Sequence, residues 1–122
     1  MGYKQEDKGK TLEHELTNFT GTEHYYRHWL GFNYTDGVKF LAEKANCFWL
    51  LDAVGSYQHT LKDKGFQIWI LKVNKDKSAV LEMREDSDTP IIVRQEIKYT
   101  DFPMEEITLY FIDGVLILTS EY

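Results

Sequence analysis

A chain of 122 residues is the size of one ordinary domain and too short for two independent cores. Its 43% hydrophobic and 28% charged residues, with two prolines and eight glycines, exclude a disordered, collagenous or low-complexity chain. Twenty acidic against 14 basic residues give a net charge of -6, which argues against non-specific nucleic-acid binding through a broad basic surface.

The only cysteine, Cys47, cannot close an intramolecular disulfide or build a multi-cysteine zinc site, so cytoplasmic residence is the expectation. Met1 to Lys10 is polar, lacks the apolar stretch of a secretory signal, and is expected to be a flexible tail on a single domain spanning 1–122. The longest apolar run, Cys47 to Val54, is interrupted by Asp52 and falls short of the roughly 20 residues that span a bilayer, so no membrane segment is expected.

Residues 11–61 are expected to be mainly helical. Leu12, Leu16 and Phe19 recur at spacings of four and three, which predicts a short amphipathic helix from Thr11, ended by Gly21 in a left-handed conformation. The aromatic stretch from Thr22 to Tyr34 fits neither the helical nor the strand period and reads as a short strand or an ordered loop. Thr35 or Asp36 can cap the next helix, whose buried stripe is Val38, Leu41, Ala42 and Ala45, with Asn46 as its left-handed stop. Cys47, Leu50, Leu51 and Val54 repeat the pattern on a segment apolar nearly all round, which demands burial.

From Phe66 to Thr119 the pattern changes to β-branched and aromatic runs separated by turn residues, predicting five strands. Phe66–Val73, apolar on both faces, belongs in the sheet centre, and Ala79–Arg84 pairs with it. Pro90–Tyr99 alternates Ile91, Val93, Ile97 and Tyr99 against Arg94, Glu96 and Lys98. Asp113-Gly114 joins the last two runs as a primed hairpin turn. The expected class is α+β, with N-terminal helices on one face of a mainly antiparallel, five-stranded meander.

The blocks Tyr34-Thr35-Asp36-Gly37-Val38, Phe48-Trp49-Leu50-Leu51-Asp52-Ala53, Phe66-Gln67-Ile68-Trp69, Tyr99-Thr100-Asp101-Phe102-Pro103 and Leu118-Thr119-Ser120-Glu121-Tyr122 resemble a family of uncharacterised bacterial, plasmid and phage proteins, a domain of unknown function. The resemblance covers nearly the whole chain after residue 10 and carries no catalytic or binding residue with it. It implies a small accessory protein that travels with mobile elements and works on another macromolecule.

Read from its residues, the chain offers few chemical groups in recognisable order. His24 and His28 are four apart and share a side in either helix or strand, but no third ligand stands at metal-site spacing, and ordinary histidines are the favoured reading. Asp52, alone on an apolar segment, lies on its wet edge or is buried with a partner, and a dyad with His28 or His59 has no supporting spacing. Cys47 sits where a thiol acts as a small hydrophobe, Ser56 lacks a nucleophile-elbow context, and no phosphate-cradling glycine motif is present.

Tyr25, Tyr26, Arg27, Trp29 and Tyr34 form the candidate partner-binding set, against the commoner reading that such rings pack onto a neighbouring element. The acidic run Glu82, Glu85, Asp86 and Asp88, followed by Asp101, Glu105 and Glu106, could mimic a phosphate row and occupy a nucleic-acid-binding partner, against the commoner reading of a solvated hairpin tip. These residues favour a non-enzymatic protein-interaction module with no cofactor, compatible with self-association. The rival is a small hydrolase or transferase using His28, Asp36 and Asp52 in a cleft.

Overall fold

The computed structural model describes residues 5–122. Its elements, in chain order, are helix α1 (Gln5–Leu16), strands β1 (Tyr25–Arg27) and β2 (Asn33–Thr35), helices α2 (Asp36–Lys44) and α3 (Phe48–Ser56), and strands β3 (Phe66–Val73), β4 (Ala79–Arg84), β5 (Val93–Ile97), β6 (Glu106–Ile112) and β7 (Val115–Leu118). Short 3-10 turns follow α3 at Gln58–Thr60 and β7 at Thr119–Glu121.

The α+β class holds, but the sheet has seven strands in the order β1-β2-β7-β6-β3-β4-β5 and is mixed, because β2 runs parallel to β7. Five antiparallel strands is therefore too few. The extra pair comes from the aromatic stretch, where Tyr25, Tyr26 and Arg27 pair with Thr35, Tyr34 and Asn33. Nor is the second half a simple meander. β6 pairs with β3 instead of β5, so a strand apolar on both faces gains a neighbour on each side. The connection from β5 to β6 tucks Phe102 and Met104 into the core.

β3 and β4 occupy their expected bounds, whereas β5 is shorter than Pro90–Tyr99, leaving Ile91 and Tyr99 exposed. At the β6–β7 turn, Asp113 and Gly114 adopt φ of 48° and 85°, as a primed two-residue turn requires. In the β3–β4 turn, the Ser78 hydroxyl at 2.6 Å, then its backbone N–H at 3.0 Å, hold the Asp76 carboxyl below the usual carboxylate range.

Side chains alternate across the sheet. Gln67, Trp69, Leu71, Leu81, Met83, Leu109 and Phe111 face the helices and are buried, while Phe66, Ile68, Ile70, Tyr110 and Ile112 lie half-buried on the opposite face. α2 and α3 bury their apolar stripes alike, with Val38, Leu41 and Ala42 at 0% and Leu50, Leu51 and Val54 within 1% of complete burial, but α3 is not buried all round, because Phe48 is 40% exposed at its start. Thr35 caps α2 by accepting from the Val38 N–H at 3.3 Å, and Asn46 stops it at φ 52°.

α1 begins at Gln5, earlier than the expected start at Thr11, so residues 5–10 of the expected tail are helical, and residues 1–4 lie outside the described residues. Gly9 lies against the Pro103 carbonyl, so close that a Cβ would collide with it. Gly21 is not left-handed. α1 ends instead in a turn where the Thr17 hydroxyl donates to the His14 carbonyl at 2.6 Å.

Cys47 is fully buried beside α2, and burial pushes its thiol up to about 12. The thiolate is the reactive form, so native protein is expected to leave a disulfide-exchange reagent unreacted at neutral pH, with one thiol per chain titrating only after unfolding. Rapid labelling of folded protein would contradict this packing.

Candidate functional site

The segment from His28 to Phe32 leaves β1, turns tightly and returns as β2, closed by the His28 N–H donating to the Phe32 carbonyl at 2.7 Å. Gly31 makes the turn possible, with φ of 97°. The turn packs on α3 at Gly55, where a Cβ would meet Phe32 Cε1 at 2.7 Å and Leu30 Cδ1 at 2.9 Å.

This packing brings His28 and Asp52 together. His28 Nε2 lies 2.7 Å from Asp52 Oδ1, and the Trp29 indole N–H donates to the same oxygen at 3.2 Å. The tautomer follows from the other side of the ring, where the Leu30 N–H donates to His28 Nδ1 at 3.0 Å. Nδ1 is therefore the acceptor, and Nε2 carries the proton it donates to Asp52. As arranged, the ring has no free lone pair with which to take a proton from a substrate.

The rings form a continuous stack. The buried His28 ring stacks with Phe32 at 4.4 Å and with Trp29 at 5.8 Å, and Phe32 meets Phe111 of the core edge-on at 5.5 Å. Trp29 ends this stack at the surface, 77% exposed but held by its N–H and its stacked neighbour. Tyr25, 58% exposed, and Leu30 are also open to solvent.

The remaining candidates divide. Tyr26 and Tyr34 are half-buried and stack on each other at 5.7 Å, with the Lys39 ammonium 4.5 Å above Tyr26, so these two rings build the support more than the surface. Arg27 is exposed, its guanidinium 3.4 Å from Asn33 Oδ1. Asp36 opens α2, and among the described residues no hydrogen bond or ion pair joins it to His28 or Asp52. His24 is exposed ahead of β1, His59 lies in the 3-10 turn after α3, and among the described residues no three His, Cys, Asp or Glu side chains converge as a metal site. A groove of about 230 Å³ lies elsewhere, lined by Glu13, Leu16, Met104, Glu106 and Ser120.

Sequence reasoning missed Glu121. Its carboxylate accepts from the Thr35 hydroxyl at 2.7 Å and the Leu118 N–H at 2.9 Å, and so braces the junction of β2 and α2. Neither helical nor strand periodicity marks it.

Asp52→Ala removes the acceptor of a buried imidazole N–H and is expected to lower stability by about 1–2 kcal/mol. It is also expected to raise acrylamide quenching of Trp29 in a background where Trp49 is phenylalanine. Unchanged quenching would show that Asp52 does not hold the indole.

No curated protein and no solved structure matches the chain. Residues 10–122 match DUF6876, a family of unknown function, and the chain belongs to that family.

Proposed function

We propose that this protein is a non-enzymatic interaction module that binds another protein through the surface formed by Trp29 and Leu30 at the β1–β2 turn. The observation that carries the reading is the state of Trp29: 77% exposed, yet oriented by Asp52 and stacked on a buried imidazole. An indole that already has its hydrogen bond presents an apolar face and loses little side-chain freedom when covered, the property of an interface anchor. Arg27 adds a rim charge. The hydrolase alternative draws support from the His28–Asp52 pair, but both imidazole nitrogens are already spent within the chain. Residence in the cytoplasm and a role beside mobile genetic elements rest on composition and on the family resemblance.

The test is a photo-crosslinking amino acid placed at Trp29, with Asp76 in the distant β3–β4 turn as control, in cells that carry the native gene. The expected result is a discrete adduct at position 29 only, destroyed by protease, resistant to nuclease, and weakened by Leu30→Ala. No adduct at 29, or one that nuclease removes, would overturn the reading.

A further inference from the structure

The open face of the sheet carries a second surface, unrelated to Trp29. Its centre is apolar: Phe66, Ile68 and Ile70 of β3 lie beside Tyr110 and Ile112 of β6 and Ile117 of β7. Tyr122 extends it, its ring 5.8 Å from Phe66 and 5.2 Å from Tyr110, and remains 77% exposed. A contiguous apolar face of this kind on a soluble domain marks an interaction site.

The charges around it point to one occupant. Around Ile70, Lys72, Arg84 and Arg94 balance Glu82, Glu96 and Glu106, so this part of the face is neutral on a chain whose net charge is -6, and the repulsion between copies is concentrated elsewhere. Lys72 lies 3.2 Å from Glu82, and Arg94 lies 2.9 Å from Glu96. Arg84 and Glu106 form no ion pair among the described residues; the Arg84 guanidinium donates only through one Nη, to the Ser87 carbonyl at 3.4 Å, and its Nε is buried without a hydrogen-bond partner.

These two are placed symmetrically. Ile68 is opposite Arg84, and Lys72 is opposite Glu106 across the other edge of β3, with Ile70 midway. Arg84 and Glu106 are thus diagonal corners of a patch centred on Ile70, roughly 16 Å apart by strand spacing and rise. A two-fold axis in the interface through Ile70, perpendicular to that diagonal, lays Arg84 of each copy over Glu106 of the other and carries Lys72 toward the second copy's Glu82. Stacked twisted sheets tolerate such crossed packing. We propose that the protein forms a two-fold dimer through this open face, centred on Ile70 and locked by two reciprocal Arg84–Glu106 pairs.

Sedimentation equilibrium across a concentration series reaching about 1 mM tests it. The expected mass rises from 14.4 kDa to twice that value and stops there. Arg84→Glu and Glu106→Arg are each expected to weaken the dimer at least tenfold, and the double variant to restore it. Within one copy the two side chains are too far apart to touch, so rescue requires contact between copies. Far-UV circular dichroism checks folding. If Arg84→Glu does not fold, Glu106→Arg at an exposed position decides alone, and an unaltered dimer constant for it refutes the proposal. Trp29→Ala is expected to leave the dimer intact, which separates this surface from the partner-binding one. A monomer at the highest concentration, open-ended oligomers, an association insensitive to the swaps, loss of the dimer in Trp29→Ala, or a double variant no tighter than the singles would each overturn the proposal.

Discussion

Trp69→Ala is expected to cost about 3–5 kcal/mol of folding stability, seen as a lowered midpoint in urea unfolding. Trp69 lies 1% exposed at the middle of β3, the strand between β4 and β6, so its loss opens a void that both neighbours border. It also unbalances a buried polar network. The Trp69 indole N–H donates to Gln67 Oε1 at 2.8 Å, Gln58 and Gln67 exchange two amide hydrogen bonds of 2.9 Å, and their remaining N–H groups reach the Val54 and Lys64 carbonyls. This network ties the end of α3 to the sheet. Trp69→Phe keeps most of the volume and leaves Gln67 Oε1 its bond from Gln58, so it is expected to cost about 1–2 kcal/mol. Equal losses in the two variants would mean that the indole N–H, not the packing, dominates the site.

The features that sequence made visible are those governed by local rules. The α2 boundaries follow from a hydroxyl that can cap and an asparagine that tolerates positive φ, and the structure uses Thr35 and Asn46 in those roles. The interior place of β3, though not the exact centre of the sheet, which β6 holds, follows from its apolar faces, and the last hairpin from Asp113-Gly114. Partner choice among strands is a long-range matter, which is why pairing of β6 with β3 was not legible. β1 and β2 are three residues each, too short for a period of two to stand out among aromatic neighbours.

The His28–Asp52 contact spans 24 residues and joins a turn to a helix, a relation with no characteristic spacing. One signal did point to it. A lone carboxylate on an otherwise apolar helix needs water or a partner, and Asp52 has both, its side chain 49% exposed while one oxygen holds His28 and Trp29. The same arrangement explains why the imidazole and carboxylate, although adjacent, serve structure. Asp52 orients the ring and Leu30 occupies its second nitrogen, so the pair converts a buried histidine into a base plate for an exposed indole.

Glu121→Ala is expected to cost about 2–3 kcal/mol, the second largest loss among the variants described, because several donors share one carboxylate. Oε1 accepts from the Thr35 hydroxyl and the Leu118 N–H at 2.7 and 2.9 Å, and the Gly37 N–H and the Thr22 hydroxyl each lie 3.4 Å from Oε2. Thr35 in turn caps α2, so the negative charge sits at the positive end of that helix. The approach depends on Gly37, where a Cβ would meet Leu118 Cδ1 at 2.6 Å and Glu121 Oε1 at 2.8 Å. Glu121→Gln keeps the acceptor oxygen and loses the charge, so it is expected to recover part of the stability, and Gly37→Ala to destabilise in the same direction as Glu121→Ala by displacing the carboxylate. Combining Gly37→Ala with Glu121→Ala is expected to cost less than the sum of the two, since one contact accounts for part of both losses. Strict additivity in thermal or urea unfolding would show that Glu121 does not hold the start of α2, and that Thr35 caps the helix alone.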